Sequence, residues 1–472
     1  MLGAFTGTSL VNYGFGLAAG WLLQPGDFGL LAFAQTLLLI CGLILNSGFA
    51  WSLTRSLASV APSRHSALTR GAIVQNLGLA SALSAALAAM FVLGPLHAGL
   101  EDLRVLLIVV ATLPFIALVA SVNSAAQGLG HFSAAAVLQL IEVVGKATAG
   151  LALVHLGFGV VGAISGFLIG AMLATGVGIW LLTHVLGISL RGNVEYLPAR
   201  GTGALFGALL AQAILLNQDV LAMKLYSGNN RALTGEYQAA IVLANAPFYL
   251  ASALLPLLFT ELAGLQGRGN SEPIVGRWLG MTLLLLLPME LVLVLAPNWA
   301  IQEVFPHAYR SGASALRLLA LGNCAVILCA TFSTAFQAIG LAAVPARIVL
   351  VVIVCEALAL RIAVPLWQGQ GAATLFLAAG TSALLGLGIV YVKKVEIERR
   401  WRAFRWLARY FLTIAVGACT FDLATHCGAN TAAALAVCAI AYAILLRVLR
   451  LVTMELPCGR HGRYRPQIVL QD

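Results

Sequence analysis

Charged side chains inside long apolar segments are the residues of this sequence that could do chemistry. Glu142 precedes Lys146 by four positions in one such segment, so both lie on one face of a helix. Asp219 and Lys224 share a second segment. A charge near the middle of a bilayer costs about 2.5 kcal/mol or more, so each is a candidate for binding or coupling. The first pair is either a self-neutralising structural pair or a polar stripe on a cavity wall.

Other polar residues in apolar segments have competing structural interpretations. Asp219 favours the lining of a cavity, whereas Lys224 can also extend to the membrane surface. Glu290 stands beside Pro288 in a leucine-rich run, which indicates either a pivot or a buried carboxyl group. A glutamine in such a segment can serve only to hydrogen-bond a neighbouring helix. The remaining candidates are two basic residues and two glutamines, namely Arg317, Arg361, Gln127 and Gln337.

Motifs of catalysis and of metal binding are missing from the sequence. It contains no ATP-binding P-loop, no HExxH and no GxSxG. Its eight cysteines form no CxxC, and no pair of histidines completes a metal site. We therefore expect a protein that is not an enzyme and that holds neither a metal nor another cofactor.

The composition predicts a helical membrane protein. Hydrophobic residues make up 61% of the 472 residues and charged residues only 9%, whereas a soluble domain has about 25% charged residues. The mean hydropathy is +0.96. Because backbone polar groups must be satisfied within the segment that crosses the lipid, we expect an all-α polytopic fold. The net charge of +10 is spread over short loops, so nucleic acid is not an expected partner.

Apolar stretches of about 20 residues, the length that crosses a bilayer, predict about fourteen spans. They are expected near residues 3–23, 28–53, 68–94, 103–127, 132–154, 157–186, 202–225, 236–262, 275–297, 313–339, 343–366, 370–392, 406–425 and 430–449.

Basic residues concentrate in alternate loops, and this asymmetry predicts the orientation of the chain. Cytoplasmic loops are enriched in Lys and Arg. The pattern fits an even number of spans with both termini in the cytoplasm. We expect the protein in the inner (cytoplasmic) membrane of the cell. The basic linker Lys393–Arg405 separates the last two spans from the first twelve.

Two similar segments recur at nearly one offset, which indicates an internal duplication. The turn at residues 26–29 has a glycine, an acid and an aromatic residue, as does the turn at residues 235–238. Residues 125–130 correspond to residues 335–340, an offset of 335 − 125 = 210. The offset covers six spans, so the two copies have the same direction. Such parallel repeats are typical of transporters with two bundles around a central cavity.

The duplication divides the chain into four predicted parts. They are an N-terminal six-helix bundle (1–190), a C-terminal six-helix bundle (201–393), two additional transmembrane helices (405–451) and a cytoplasmic tail (452–472).

Three segments, residues 22–58, 125–166 and 217–244, resemble bacterial polysaccharide flippases, the exporters of O-antigen, teichoic acid and exopolysaccharide. This family belongs to the multidrug/oligosaccharidyl-lipid/polysaccharide exporter superfamily. The matching positions are Leu23, Pro25, Asp27, Phe28, Gly29, Gly130, Gly157, Gly159, Gly162, Asp219, Lys224, Gly235, Tyr237 and Ala239. The chain departs from the family pattern in having no basic tail before the first span, and Gly20-Trp21 where the family often has arginine.

The resemblance implies a flippase for undecaprenyl-pyrophosphate-linked oligosaccharide, acting by alternating access around a polar central cavity. Its partners would be the lipid-linked oligosaccharide, membrane lipids, and the polysaccharide polymerase and glycosyltransferases of the same pathway. Bases would offset the pyrophosphate, and buried acids would couple proton or sodium entry. The bases to test are Lys146, Lys224, Arg317 and Arg361, and the acids are Asp219 and Glu290.

Two other functions are compatible with the sequence. A drug/cation antiporter of the same superfamily would have the same fold, although its members usually have twelve spans. A membrane polymerase or ligase acting on lipid-linked sugars would be an enzyme, and the repeat and the short outer loops count against it.

Overall fold

The computed structural model describes residues 2–94, 102–197, 203–227, 230–252, 254–263, 272–394 and 416–448. Within these residues every regular element is a helix, so the prediction of an all-α membrane fold is confirmed. Seven helical stretches are long and apolar enough to cross a membrane. Two of them, Phe132–Val185 with 54 residues and Ala343–Tyr391 with 49, have the length of two crossings each.

The helices of the first half follow the predicted spans closely. The second predicted span is broken at Gly48, where α2 ends and the short α3 begins. The helices are α1 (Leu2–Leu22), α2 (Pro25–Ser47), α3 (Phe49–Leu57), α4 (His65–Val92), α5 (Leu103–Gly128), α6 (Phe132–Leu153) and α7 (Gly159–Trp180).

The second half contains more breaks than the sequence predicts. Its seventh and eighth spans are each divided into two helices, and a short helix follows the ninth. The helices are α8 (Gly203–Leu215), α9 (Gln218–Tyr226), α10 (Arg231–Ser252), α11 (Leu255–Ala263), α12 (Glu272–Leu295), α13 (Pro297–Val304), α14 (Ala313–Ala338) and α15 (Ala343–Lys394).

Residues beyond Arg399 form a separate compact unit. Its described part consists of α16 (416–426) and α17 (Thr431–Val448). The buried Cys438 thiol of α17 donates to the Gly417 carbonyl at 3.2 Å and joins the two helices. The rest of the predicted basic linker (395–405) and the predicted tail (452–472) lie outside the described residues.

The ends of α5 and α14 support the predicted duplication. Both helices have 26 residues, and their first residues lie 313 − 103 = 210 positions apart. Two residues after the end of each helix stands a glycine with φ of +80°, Gly130 after α5 and Gly340 after α14. The residue after each glycine donates its backbone N–H to a carbonyl five positions earlier, the Schellman arrangement. The boundaries of the two bundles stay a prediction.

The connection between the two halves is bound to the first half. Its residues 187–197 pack beside α4, where the Arg70 guanidinium donates to the backbone carbonyls of Ser189, Arg191 and Asn193 at 2.5–2.8 Å. One side chain therefore fixes the course of the connection as it leaves α7 and its π-helical last turn.

A second repeated backbone feature separates the two arms of α15. Gly159 begins α7 with φ +56° and ψ −140°. Gln368, which lies 368 − 159 = 209 positions later, divides α15 with φ +49° and ψ −133°. Glycine adopts this conformation without strain, whereas Gln368 carries a Cβ that disfavours it. Gln368 is the only residue other than glycine with a positive φ in the described part of the chain.

Gln368→Gly is expected to raise the free energy of unfolding by about 1 kcal/mol, because a strained residue costs about 1–3 kcal/mol and glycine loses part of that gain to chain entropy. The measurement is the thermal unfolding midpoint of the purified protein in detergent. Gln370→Gly is the control: Gln370 is exposed in regular helix, where glycine lowers stability. Equal losses in both variants would contradict strain at Gln368.

Candidate functional site

Helices α2 and α10, one from each half, touch through their backbones near their first turns. A Cβ placed on Gly235 would lie 1.7 Å from the Pro25 carbonyl oxygen, and one on Gly29 would lie 2.7 Å from the Gly235 nitrogen. No side chain fits at either position without separating the helices. The two turns that the sequence identifies as repeats therefore lie against each other.

Aromatic side chains fill the space around this glycine contact. Phe28 of α2 packs edge-on against Tyr309 with ring centroids 5.8 Å apart, and Phe305 lies beside both. All three side chains are 2% exposed or less. The Tyr309 hydroxyl donates to the Leu23 carbonyl at 2.7 Å, which joins the second half to the end of the first span. We call this region, Gly29, Gly235, Phe28, Phe305 and Tyr309, the closed end.

A pocket lies next to the closed end, between α1 and α2 of the first half and α10 of the second. Its cavity volume is about 50 Å³, room for about three or four water molecules. A sugar would require α10 to move away from α1 and α2. The polar wall consists of four amides and two phenols, here called the amide pocket: Asn12, Gln35, Gln238, Asn245, Tyr13 and Tyr249.

Lys146 reaches this pocket through one of its amides. The Lys146 ammonium, on α6, donates to the side-chain oxygen of Asn12. It also lies over the rings of Phe15 and Phe167, at 5.4 and 4.8 Å from the ring centroids, where cation–π attraction favours it. Lys146 is 8% exposed. The predicted base is thus held at the back of the pocket wall, with Glu142 one helical turn earlier.

The second half holds an acid cluster of four residues, Gln218, Asp219, Tyr237 and Glu356. The Tyr237 hydroxyl donates to Asp219 at 2.7 Å, and the Gln218 amide donates to the Glu356 carboxylate. All four side chains are at most 8% exposed, and Asp219 and Glu356 interact electrostatically. Two carboxylates buried in one cluster favour the binding of a proton or a cation, because an uncompensated buried charge costs several kcal/mol.

The lysine site and the acid cluster occupy equivalent places in the repeat. Glu356 follows Lys146 by 356 − 146 = 210 positions, and Gln218 follows Asn12 by 218 − 12 = 206. In each half an amide of the first span binds an ionisable residue of the fifth span. Asn12 binds Lys146 in the first half, and Gln218 binds Glu356 in the second. The two halves therefore share a scaffold but carry groups of opposite charge.

Three of the other predicted charged residues lie on other helices, and the fourth, Lys224, shares α9 with Asp219. Glu290 on α12 is 4% exposed, and neither of its oxygens has a hydrogen-bond partner within the described residues. Lys224 is buried in the last turn of α9. The Arg317 guanidinium is exposed and donates to the Val294 carbonyl at 2.9 Å, and Arg361 is exposed on α15.

The two predicted glutamines lie in the last turns of α5 and α14. Gln127 and Gln337 are both partly buried, and each backbone carbonyl accepts the N–H of the glycine three positions later. Their local geometry is the same, as the repeat predicts. Neither lines the amide pocket.

The sequence reasoning missed the side chains of the amide pocket because it ranked charges above amides. A weak signal was present. Gln238 and Asn245 are seven positions apart, which places both on one face of α10. Asn12 and Gln35 each lie in a mostly apolar helix, where an amide needs a partner or a cavity.

Comparison with known proteins identifies the family of this chain. The family described as "Polysaccharide biosynthesis protein" matches residues 6–259, more than half of the chain. The chain belongs to this family. No curated protein matches this member of the polysaccharide biosynthesis family in sequence.

Solved structures share the fold of this polysaccharide biosynthesis family member at low sequence identity. Lipid II flippase MurJ in an inward closed conformation is similar with a TM-score of 0.73 and 15% identity, over 94% of this chain and 96% of that one. An inward-facing multidrug resistance MATE family transporter of the MOP superfamily has a TM-score of 0.60 and 16% identity, over 83% and 96%. The eukaryotic MATE transporter AtDTX14 is similar with a TM-score of 0.58 and 15% identity, over 85% of this chain and 97% of that one.

The solved structures that share this fold are a flippase and transporters by their titles. Their likeness counts against the alternative of a membrane polymerase or ligase.

Gly235→Ala is expected to open the closed end, because the added methyl group would overlap the Pro25 carbonyl. The reporter is Leu23→Cys in a background without native cysteines, labelled with a polar maleimide. With Gly235→Ala added, the labelling rate should rise about tenfold or more, because a 1.4 kcal/mol shift of the opening equilibrium changes the open population about tenfold. Gly276→Ala is the control, because its Cβ would meet no atom within 4 Å. Equal labelling in both variants would show that the glycine contact does not hold the end closed.

Proposed function

We propose that this protein flips undecaprenyl-pyrophosphate-linked oligosaccharide across the cytoplasmic membrane for the biosynthesis of cell-surface polysaccharide. The observation that carries the proposal is the amide pocket, which is enclosed between the two repeats beside a closed end. The family match and the flippase fold agree with it.

The chemistry of the pocket suits a head group that crosses while its lipid tail stays in the bilayer. Amides and phenols replace the water that sugar hydroxyl groups lose on entering the membrane. Lys146 supplies positive charge for a phosphate at the same wall, where a charge-assisted hydrogen bond is strong. The acid cluster of the other half is the favoured place for a coupling proton or cation.

Alternating access requires the pocket to open on one side at a time. The alternation of basic loops supports an extracytoplasmic position for the closed end and cytoplasmic termini. In that orientation the described conformation is closed toward the outside. Separation of α2 from α10 would open the outer side and release the head group.

A drug/cation antiporter is the second candidate function. The acid cluster favours it, because two buried carboxylates can exchange a cation for a proton. The MATE fold likeness is compatible with it. The amides of the pocket suit sugar hydroxyl groups better than a lipophilic cation, which favours the flippase.

Deletion of the gene is expected to trap lipid-linked oligosaccharide in the cytoplasmic leaflet. Labelling of the sugar in intact and permeabilised spheroplasts distinguishes the two leaflets. Restoration by the wild-type gene is the control. Normal export in a strain without a redundant gene would refute the flippase, and a drug-sensitive deletion strain with normal export would favour the antiporter.

Lys146→Gln is expected to lower export by about tenfold to a hundredfold, since a hydrogen bond to a charged group contributes about 1.5–3 kcal/mol. Arg361→Gln is the matched control, because Arg361 lies in a corresponding span but is exposed and away from the pocket. Export rates are compared at equal protein levels in the membrane. Equal loss in both variants would contradict a specific role for Lys146.

Asp219→Ala is expected to abolish export at a normal protein level, because it removes the carboxylate that Tyr237 binds in the acid cluster. Asp422→Ala, which removes an exposed acid of α16, should leave export unchanged. Unchanged export in the Asp219 variant would assign this residue to packing alone.

A further inference from the structure

Two short helices, α3 and α11, continue α2 and α10 beyond the breaks, on the side away from the closed end. Both have nine residues, and their first residues lie 255 − 49 = 206 positions apart. Gly29 and Gly235 are also 235 − 29 = 206 positions apart. Each short helix packs on equivalent helices of its own half, α3 on α4 and α5, and α11 on α12 and α14. The two are therefore equivalent parts of the repeat, and we call them the far end.

Opposite charges stand at equivalent places of the far end. Arg55 on α3 and Glu261 on α11 are 261 − 55 = 206 positions apart. The buried leucines of the two helices give an offset of 258 − 53 = 205, namely Leu53 and Leu57 against Leu258 and Leu262. The equivalence thus holds to within one position, a difference that side chains as long as arginine and glutamate can span.

The glycine contact marks the axis that relates the two halves. Parallel repeats are related by an axis along the membrane normal, and Gly29 meets its own equivalent, Gly235, at the closed end. Equivalent residues lie at equal distances from this axis, on opposite sides of it. When the halves rock apart at the closed end, the far end narrows. Arg55 and Glu261 then approach each other across the axis.

Glu261 is bound within its own half in the described conformation. One carboxylate oxygen accepts from the Arg277 guanidinium, and the other accepts from the Trp278 indole N–H at 2.7 Å. The Arg277 side chain is 47% exposed, so this ion pair is open to solvent. Arg55 is exposed on the face of α3 opposite its buried leucines. A second guanidinium can therefore replace Arg277 on the carboxylate without the cost of burying a charge.

We infer that Arg55 and Glu261 form an ion pair that closes the far end when the closed end opens. Arg55 then replaces Arg277 on the Glu261 carboxylate. Each state of the transporter thus has its own closing contact, two glycines at one end and two opposite charges at the other. The inference rests on the alternating access of the proposed function and names the contact that holds the second state.

Two matched substitutions test this exchange of partners, with the labelling rate of Leu23→Cys as the measure of opening at the closed end. Arg55→Gln removes the contact of the second state and should slow the labelling about threefold, the effect expected of an exposed ion pair. Arg277→Gln removes the competing partner and should speed the labelling by about the same factor. Both changes remove one positive charge, so a general effect of charge would act in one direction.

Glu261→Gln supplies the control background, because neither arginine then has a carboxylate to compete for. In that background both arginine substitutions should leave the labelling rate unchanged. Rates that change in the same direction, rates that do not change, or an effect of Arg55→Gln that persists beside Glu261→Gln would each overturn the inference. The labelling rate reports conformation and not export, so these outcomes leave the flippase proposal intact. That proposal fails instead on normal export in the deletion strain.

A pair of cysteines tests the approach of the two residues directly. Arg55→Cys with Glu261→Cys, in the cysteine-free background, should be joined by a bismaleimide whose span matches an arginine–glutamate ion pair. Arg64→Cys with Glu261→Cys is the control, because Arg64 is an exposed base of the first half that already binds Glu195. The first pair should be joined much faster. Equal rates, or no crosslink between residues 55 and 261 when each single cysteine reacts with a maleimide, would overturn the inference.

Discussion

The contact between Gly29 and Gly235 is the constraint on which the arrangement of the two halves depends. At this point α2 and α10 approach so closely that backbone atoms replace side chains at the interface. Larger residues can pack only beside the glycine contact, and the two sides of this contact hold different kinds of side chain. Aromatic rings fill one side, whereas amides and a small cavity lie on the other. The glycine pair thus separates the aromatic cluster of the closed end from the amide pocket.

The same duplicated scaffold carries opposite charges in its two halves. Lys146 and Glu356 occupy equivalent positions, and each is bound by an amide from the first span of its own half. The base lies behind the pocket wall and contacts it through Asn12, while the acid lies in the cluster of Gln218, Asp219 and Tyr237 within the second half. Under the proposed function, this division would place anion recognition and cation coupling in separate halves of the chain. Arg70 binds the start of the connection to the first half. The alternating access proposed above would therefore need a bend at another point of the chain.

The sequence was sufficient for the fold because hydropathy acts over whole segments. The predicted span at 103–127 and the helix α5 agree within one residue, and the offset of 210 recurs in the backbone of Gly130 and Gly340. The site was harder to predict. Lys146 is recognisable by the cost of its charge, but the pocket depends on Asn12 and Gln35, whose role follows only from which helix faces which. No local pattern reports that relation. The sequence also did not predict helix breaks such as the one after α8. Contacts with other helices compensate the backbone hydrogen bonds that are lost at a break, and these contacts leave no local pattern.

The turn at Gln368 has a consequence for how the repeat can be recognised. Its backbone dihedral angles are close to those of Gly159 although Gln368 carries a side chain. The helices on both sides of Gln368 hold the chain in a conformation that a glycine would adopt without strain. At this position the two halves are therefore more alike in their torsion angles than in their residue types.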